Sequence, residues 1–210
     1  MLRICNGLKK GFKLKVPRDG LVRPNTSKVR KTIFDILPSV ENLDILDIFS
    51  GSGSLGIEAL SMAAKHATFI DNNPSSIKCI KENLKKCEFD TRSTVIKRDF
   101  SVTLRKFIKQ NKKFDLIFIG NKTSLNSIAV ADSFVVMIYH GIGLKQSYYT
   151  DLTDRMDLIA VESSPRAEKL NNLGYTAVDS GFIKLDYIPQ LTHQEKQSRM
   201  QDMGLNPGKP

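Results

Sequence analysis

Leu46-Asp47-Ile48-Phe49-Ser50-Gly51-Ser52-Gly53-Ser54-Leu55-Gly56 is the stretch on which the fold turns. It runs from a predicted strand through a glycine turn into a predicted helix. In a parallel sheet that junction lies outside the carboxyl ends of the strands, where nucleotides bind, and glycines let the backbone come close to a ligand. The spacing Gly51-x-Gly53-x-x-Gly56 satisfies the dinucleotide fingerprint. Asp71 stands 20 residues beyond Gly51, where a carboxylate can accept hydrogen bonds from ribose hydroxyls.

The sequence on either side fits the same architecture. A strand is predicted over Leu43 to Phe49, a helix through Ala64, a strand over Ala67 to Ile70 and a helix from Pro74 to Cys87. A strand over Ser93 to Ile96, a helix around Val102 to Lys109 and a strand over Phe114 to Ile119 follow. Strands alternating with amphipathic helices predict an α/β protein with a parallel, doubly wound sheet. Beyond Ile119 come an apolar run from Phe134 to Tyr139, the turn His140-Gly141-Ile142-Gly143, a strand Leu158 to Val161, a helix Pro165 to Leu173 and a strand Thr176 to Ser180. Upstream, residues 2 to 16 alternate loosely around Gly7 and Gly11 and predict a small basic hairpin. Asn25, Thr26 or Ser27 can then cap a helix carrying Val29, Ile33, Phe34 and Leu37 on one face, and Pro38 stops it. Three regions are expected: a basic arm and helix (1–40), a Rossmann-like cofactor-binding region (41–120) and a second α/β segment (121–210), with the sheet of the first half incomplete unless later strands add to it.

Two details favour S-adenosylmethionine over a dinucleotide. Asp47 lies inside the strand end, where its charge suits the cationic amino end of a methionine moiety better than a pyrophosphate. Asp99 follows the third strand, where a carboxylate can accept from an adenine amino group while Phe100 packs the ring. The candidate cofactor residues are Asp47, Phe49, Gly51, Gly53, Asp71, Asn72, Asp99 and Phe100. The plainer alternative makes Asp47 and Asp99 helix caps and Gly51 to Gly56 a tight turn only.

Composition narrows the partners. The 210 residues are 40% hydrophobic and 26% charged, enough apolar content for a core. The net charge of +10 is uneven: residues 1 to 40 carry +8, 41 to 119 carry +3 and 120 to 210 carry −1. Cations gathered at one end point to a polyanion, because Lys and Arg gain affinity by displacing counterions from phosphates. The longest strongly apolar run, Phe134 to Tyr139, is far too short for a bilayer, and no signal-peptide core follows the lysine-rich start, so a cytoplasmic protein is expected. Cys5, Cys79 and Cys87 have no metal-ligand spacing; they fit small thiols in a reducing compartment, with no metal site.

Residues 2 to 119 resemble the bacterial small-subunit ribosomal RNA guanine-N2 methyltransferases. The resemblance rests on Arg3-Ile4 with Lys9 to Lys15, Leu21-Val22-Arg23-Pro24-Asn25-Thr26, Val29-Arg30-Lys31-Thr32-Ile33-Phe34, and Leu46 to Leu60 ending Gly56-Ile57-Glu58-Ala59-Leu60. It implies a Rossmann-like S-adenosylmethionine methyltransferase whose basic extension grips rRNA of the small ribosomal subunit. Arg3, Lys9, Lys10, Lys13, Lys15, Arg23 and Arg30 are then expected on phosphates. The same resemblance implies an Asn/Asp-Pro-Pro-Tyr/Phe loop after the fourth strand, holding the target amino group in line with the methyl donor. Here Phe114-Asp115-Leu116-Ile117-Phe118-Ile119 leads into Gly120-Asn121-Lys122-Thr123. Asn121 is a displaced stand-in without the prolines.

Residues 134 to 210 resemble part of a different family, the N-terminal domain of CDP-glycerol glycerophosphotransferases. The stretches concerned are His140-Gly141-Ile142-Gly143-Leu144-Lys145, Asp157 to Val161 with Ser163-Ser164-Pro165, and Gly181-Phe182-Ile183-Lys184-Leu185-Asp186. That resemblance makes His140 a candidate base for an acceptor hydroxyl, in a chain expected to lack the donor-binding half. Three functions follow in order: an S-adenosylmethionine-dependent rRNA methyltransferase, a non-catalytic RNA-binding module, and a glycerophosphotransferase fragment, the two resembling halves being joined as a composite chain.

Overall fold

The structure, a computed structural model, describes residues 2–17, 25–120, 133–138 and 156–181. Among the described residues seven strands form one sheet: β1 (Asp44–Ile48), β2 (His66–Asp71), β3 (Ser93–Lys97), β4 (Leu116–Ile119), β5 (Phe134–Ile138), β6 (Leu158–Val161) and β7 (Ala177–Asp179). Their order is β3-β2-β1-β4-β5-β6-β7, and every pairing is parallel. Parallel strands are covered on both faces and so read as continuous apolar runs. Leu116-Ile117-Phe118-Ile119 and Leu158-Ile159-Ala160-Val161 are buried throughout.

The chain winds outward from β1 to β3, returns to the middle at β4, and winds outward the other way to β7. Right-handed crossovers in opposite directions place helices on opposite faces. Accordingly α2 (Ser54–Ser61) and α3 (Pro74–Cys87) share one core with Ile45, Ala67 and Phe69. The helices α4 (Phe100–Lys109) and α5 (Ser164–Asn172) share the other with Leu46, Ile70, Ile117 and Ile159. Among the described residues no crossover helix covers β4, β5 and β6 on the first face. Helix α1 (Ser27–Ile36) fills it: Val29, Ile33 and Phe34 pack into the core that holds Phe118, Val136, Ile138, Leu158 and Ala160. The Phe34 and Phe118 rings lie 5.7 Å apart. Thr26 is the cap, its hydroxyl accepting from the Val29 N–H.

Element boundaries predicted from sequence agree to within three residues, and α3 and β6 coincide with their expected ranges. Residues 134–138, 158–161 and 177–179 continue the sheet built by residues 44–119; the outer edge of β4 is paired with β5. The basic hairpin forms about an antiparallel bridge from Arg3 to Lys13, with the Ile4 N–H on the Phe12 carbonyl (3.0 Å) and the Leu14 N–H on the Leu2 carbonyl (2.9 Å). Its second half also hydrogen-bonds to α3: Asn83 Oδ1 accepts from the Lys15 N–H (2.8 Å) and Asn83 Nδ2 donates to the Lys15 carbonyl (3.0 Å). Cys79 and Cys87 are buried and Cys5 is half-buried, all free thiols. Among the described residues no helix is long and apolar enough to cross a membrane.

Candidate functional site

The crevice of such a sheet opens where the winding reverses, between the carboxyl ends of β1 and β4. β1 ends at Ile48, and Phe49 (φ 60°), Gly51 (φ 55°) and Gly53 (φ 74°) all adopt the left-handed region. That conformation is routine for glycine and uncommon for phenylalanine. Three side-chain groups hold the turn. Asp71 Oδ2 accepts from the Gly51 N–H at 2.8 Å while its Oδ1 accepts from the Asn73 N–H at 2.8 Å. The Ser50 hydroxyl donates to the Asp47 carbonyl (2.6 Å) and accepts from the Ile70 N–H (3.1 Å), tying the ends of β1 and β2 together. Asp47 Oδ2 accepts from the Gly56 N–H in the first turn of α2, at 3.1 Å.

The third glycine has a packing reason. A Cβ on Gly56 would lie 2.4 Å from Phe69 Cε1, so α2 reaches β2 only because the side chain is missing.

Asp47 is 2% exposed. Burial pushes its carboxyl up to about 7, the Gly56 N–H pulls the other way, and the Asp71 charge adds to the rise. A carboxylate so held is poorly solvated and attractive to a cation. In the same turn, the Ser52 hydroxyl is buried with no hydrogen-bond partner. Phe49, exposed, and Phe100 pack with ring centroids 4.8 Å apart and ring planes tilted by 52°. Asp99 is exposed and caps α4, its Oδ1 accepting from the Ser101 and Val102 N–H groups. Its proton affinity is lowered, chiefly by the Ser101 hydroxyl. Asn72 lies exposed in the turn between β2 and α3. The structure thus gathers Asp47, Gly51, Gly53 and Asp71 in one hydrogen-bonded turn, with Phe49 against Phe100 and Asp99 next to Phe100 in the chain.

Of the expected phosphate contacts, Arg3, Lys10, Lys13 and Lys15 are exposed. Lys9 pairs with Glu88, and Lys15 pairs with Glu82 at 2.8 Å. Arg30 requires a correction: it is fully buried and cannot reach a phosphate. Its guanidinium donates to the Asn25 carbonyl (2.6 Å), to the Arg3 carbonyl and to Glu58 Oε2 (3.4 Å). The arm folds over the side of α1 that carries Arg30. Arg23, Asn121 and His140 lie outside the described residues.

Sequence reasoning missed Glu58. Its carboxylate is fully buried and accepts from the Cys5 N–H at 2.8 Å and the Asn6 N–H at 2.6 Å as well as from Arg30. The arm therefore seats on α2, with the Leu8 N–H on the Ser61 carbonyl and the Lys9 N–H on the Ser61 hydroxyl. A signal was present: an acid between Ile57 and Ala59 in a helix of small and apolar residues needs a buried partner.

No group of three or more His, Cys, Asp or Glu side chains placed to hold a metal occurs among the described residues. The family model described as Conserved hypothetical protein 95 matches residues 2–120. The small-subunit ribosomal RNA methyltransferase D of Haemophilus influenzae is 33% identical over 119 residues, covering 56% of this chain and 62% of that protein. An uncharacterized methylase of Rickettsia prowazekii is 28% identical over 197 residues, covering 89% of this chain and 73% of its own length. Among solved structures, a hypothetical protein of Thermus thermophilus superposes with a TM-score of 0.53 at 28% identity, over 61% of this chain and 74% of that one. This chain spans under two thirds of the length of the first curated relatives it matches.

Proposed function

Because the chain belongs to the Conserved hypothetical protein 95 family, we propose that it binds S-adenosylmethionine and acts on RNA of the small ribosomal subunit as a methyltransferase. The observation that carries this reading is the buried Asp47, raised to about 7 at the mouth of a glycine turn. A dinucleotide would bring a pyrophosphate to a turn already lined by two carboxylates; a methionine moiety brings an ammonium. The remaining groups fit the same ligand. Asp71 keeps lone pairs free after its two backbone contacts, since an ionised carboxylate has about four acceptor sites. The orphaned Ser52 hydroxyl supplies a hydrogen-bonding group, and the Phe49 and Phe100 rings supply an apolar surface for a purine.

When bound, S-adenosylmethionine would supply a methyl group already activated by its sulfonium. This chain's part is then orientation: Asp47 would hold the amino end, Asp71 with Asn72 the ribose, and Asp99 with Phe100 the adenine. The arm would hold RNA phosphates. By resemblance the acceptor is a guanine N2. Calorimetry with S-adenosylmethionine and S-adenosylhomocysteine tests the cofactor, and labelled-methyl incorporation into small-subunit rRNA tests the reaction. No affinity for either cofactor form refutes the reading.

A second reading, RNA binding without methyl transfer, is favoured by one observation. Gly120-Asn121-Lys122-Thr123 follows β4 where the family resemblance implies Asn/Asp-Pro-Pro-aromatic. Cofactor and RNA binding with no incorporated label supports it; turnover refutes it.

A further inference from the structure

Five cations and no acid lie between Arg3 and Lys15, and this arm runs beside α3. Lys86 Nζ donates to the Lys13 carbonyl at 2.7 Å, Asn83 brackets the backbone of Lys15, and Glu82 and Glu88 are turned toward Lys15 and Lys9. With its acids facing the arm and Ile77, Ile80, Leu84 and Cys87 buried in the core, α3 presents Lys78, Lys81, Lys85 and Lys86 as exposed residues. Lys78, Lys81 and Lys85 are spaced i, i+3 and i+7, which puts them on one face of the helix. They span roughly 10 Å at the rise of an α-helix.

Helix stability accounts for only part of this arrangement. Lys85 and Lys86 sit in the last turn, where cations suit the helix dipole. Lys78 is spaced i,i+4 from Glu82, which suits a helix, but Lys81 lies outside the last turn, and Lys81 with Lys85 is a like-charge i,i+4 pair, which destabilises a helix slightly. An external anion resolves the repulsion. The N-terminal end of α3 also adjoins the glycine turn, since its cap Asn73 donates its N–H to the same Asp71 that holds Gly51.

We propose that the Lys78-Lys81-Lys85 face of α3 is a second phosphate-binding track, continuous with the arm at Lys10, Lys13 and Lys86, along which the RNA backbone runs toward the cofactor turn. This inference rests on the RNA-methyltransferase reading. It adds a contact surface that neither the arm nor the glycine turn contains.

The test is fluorescence anisotropy of the full chain with a labelled small-subunit rRNA fragment across a salt series. Three proteins are compared: the natural sequence, Lys10→Gln/Lys13→Gln, and Lys78→Gln/Lys81→Gln/Lys85→Gln. Each phosphate neutralised contributes about 0.7 to 0.9 to the slope of log affinity against log salt, so the α3 variant should lose about two to three from that slope. Its urea midpoint and its calorimetric affinity for S-adenosylhomocysteine should match the natural protein. If the triple substitution unfolds the chain, Lys81→Gln alone should lower the slope by about one. An unchanged slope in the α3 variant, with a reduced slope in the arm variant, overturns the track and leaves RNA binding intact. Salt-independent or absent binding by the natural protein overturns the RNA reading and the track together.

Discussion

Replacing Asp47 by Asn should stabilise the protein at alkaline pH and abolish its affinity for the cofactor. The carboxyl takes its proton at about 7 in the folded state against a usual 3.8. Between those values the native state binds more protons than the unfolded state, so stability falls as pH rises through the window and levels off above about 7. A gap of about 3 pK units corresponds to roughly 4 kcal/mol of destabilisation at pH 8, of which about 2 to 3 kcal/mol accrues between pH 5 and pH 8. Asn keeps an oxygen for the Gly56 N–H and carries no charge to desolvate. Urea unfolding of both proteins at pH 5, 6, 7 and 8 measures the difference. His66, its proton affinity lowered chiefly by burial, titrates nearby with the opposite sign, so the wild-type-minus-variant difference is the informative quantity. That difference should shift toward the variant by about 2 to 3 kcal/mol from pH 5 to pH 8. A constant offset across the series would refute the claim that burial holds a proton on Asp47. Cofactor titration at pH 8 completes the argument, because an ammonium ligand needs the charge the variant lacks; stability would be gained where function is lost.

Glu58→Ala should cost about 3–5 kcal/mol, since it strands a buried guanidinium and two arm N–H groups; Glu58→Ala/Arg30→Met should recover part of this, and urea midpoints report both. Gly56→Ala must displace Phe69 from a contact of 2.4 Å, with an expected loss of about 1–3 kcal/mol and weaker cofactor binding because α2 shifts away from Asp47; thermal melts and calorimetry check it. Asp71→Asn can accept from only one of the Gly51 and Asn73 N–H groups with its single oxygen and should lose about 1–3 kcal/mol together with ribose affinity. Unchanged stability would show that Asp71 does not hold the turn.

What could be read from sequence, and what could not, divides by the range of the interaction. The β1 turn was legible because its determinants are local: an apolar strand, glycines at fixed spacing, and Asp71 one βαβ unit away. The expected ranges of α3 and β6 coincided with the structure for the same reason, a proline at the first turn of α3 and an uninterrupted Leu-Ile-Ala-Val run. Glu58 and Arg30 were opaque because their meaning depends on a contact across 28 residues with the arm laid over both. Read singly, Arg30 is one more cation in a basic segment; folded, it is the group that stitches the arm to α1 and α2. The bare face over β4 to β6 was equally hidden, since it follows from the direction of winding and not from any one segment. That face makes α1 a part of the core. The backbone of residues 2–17 is therefore tied to the α/β fold through Glu58 and Asn83, beside the cations of α3. A loosely tethered tail would pay to order its backbone on binding; here the arm's backbone is already placed by its contacts with α2 and α3, and the salt slope of the α3 variant reads whether RNA uses that placement.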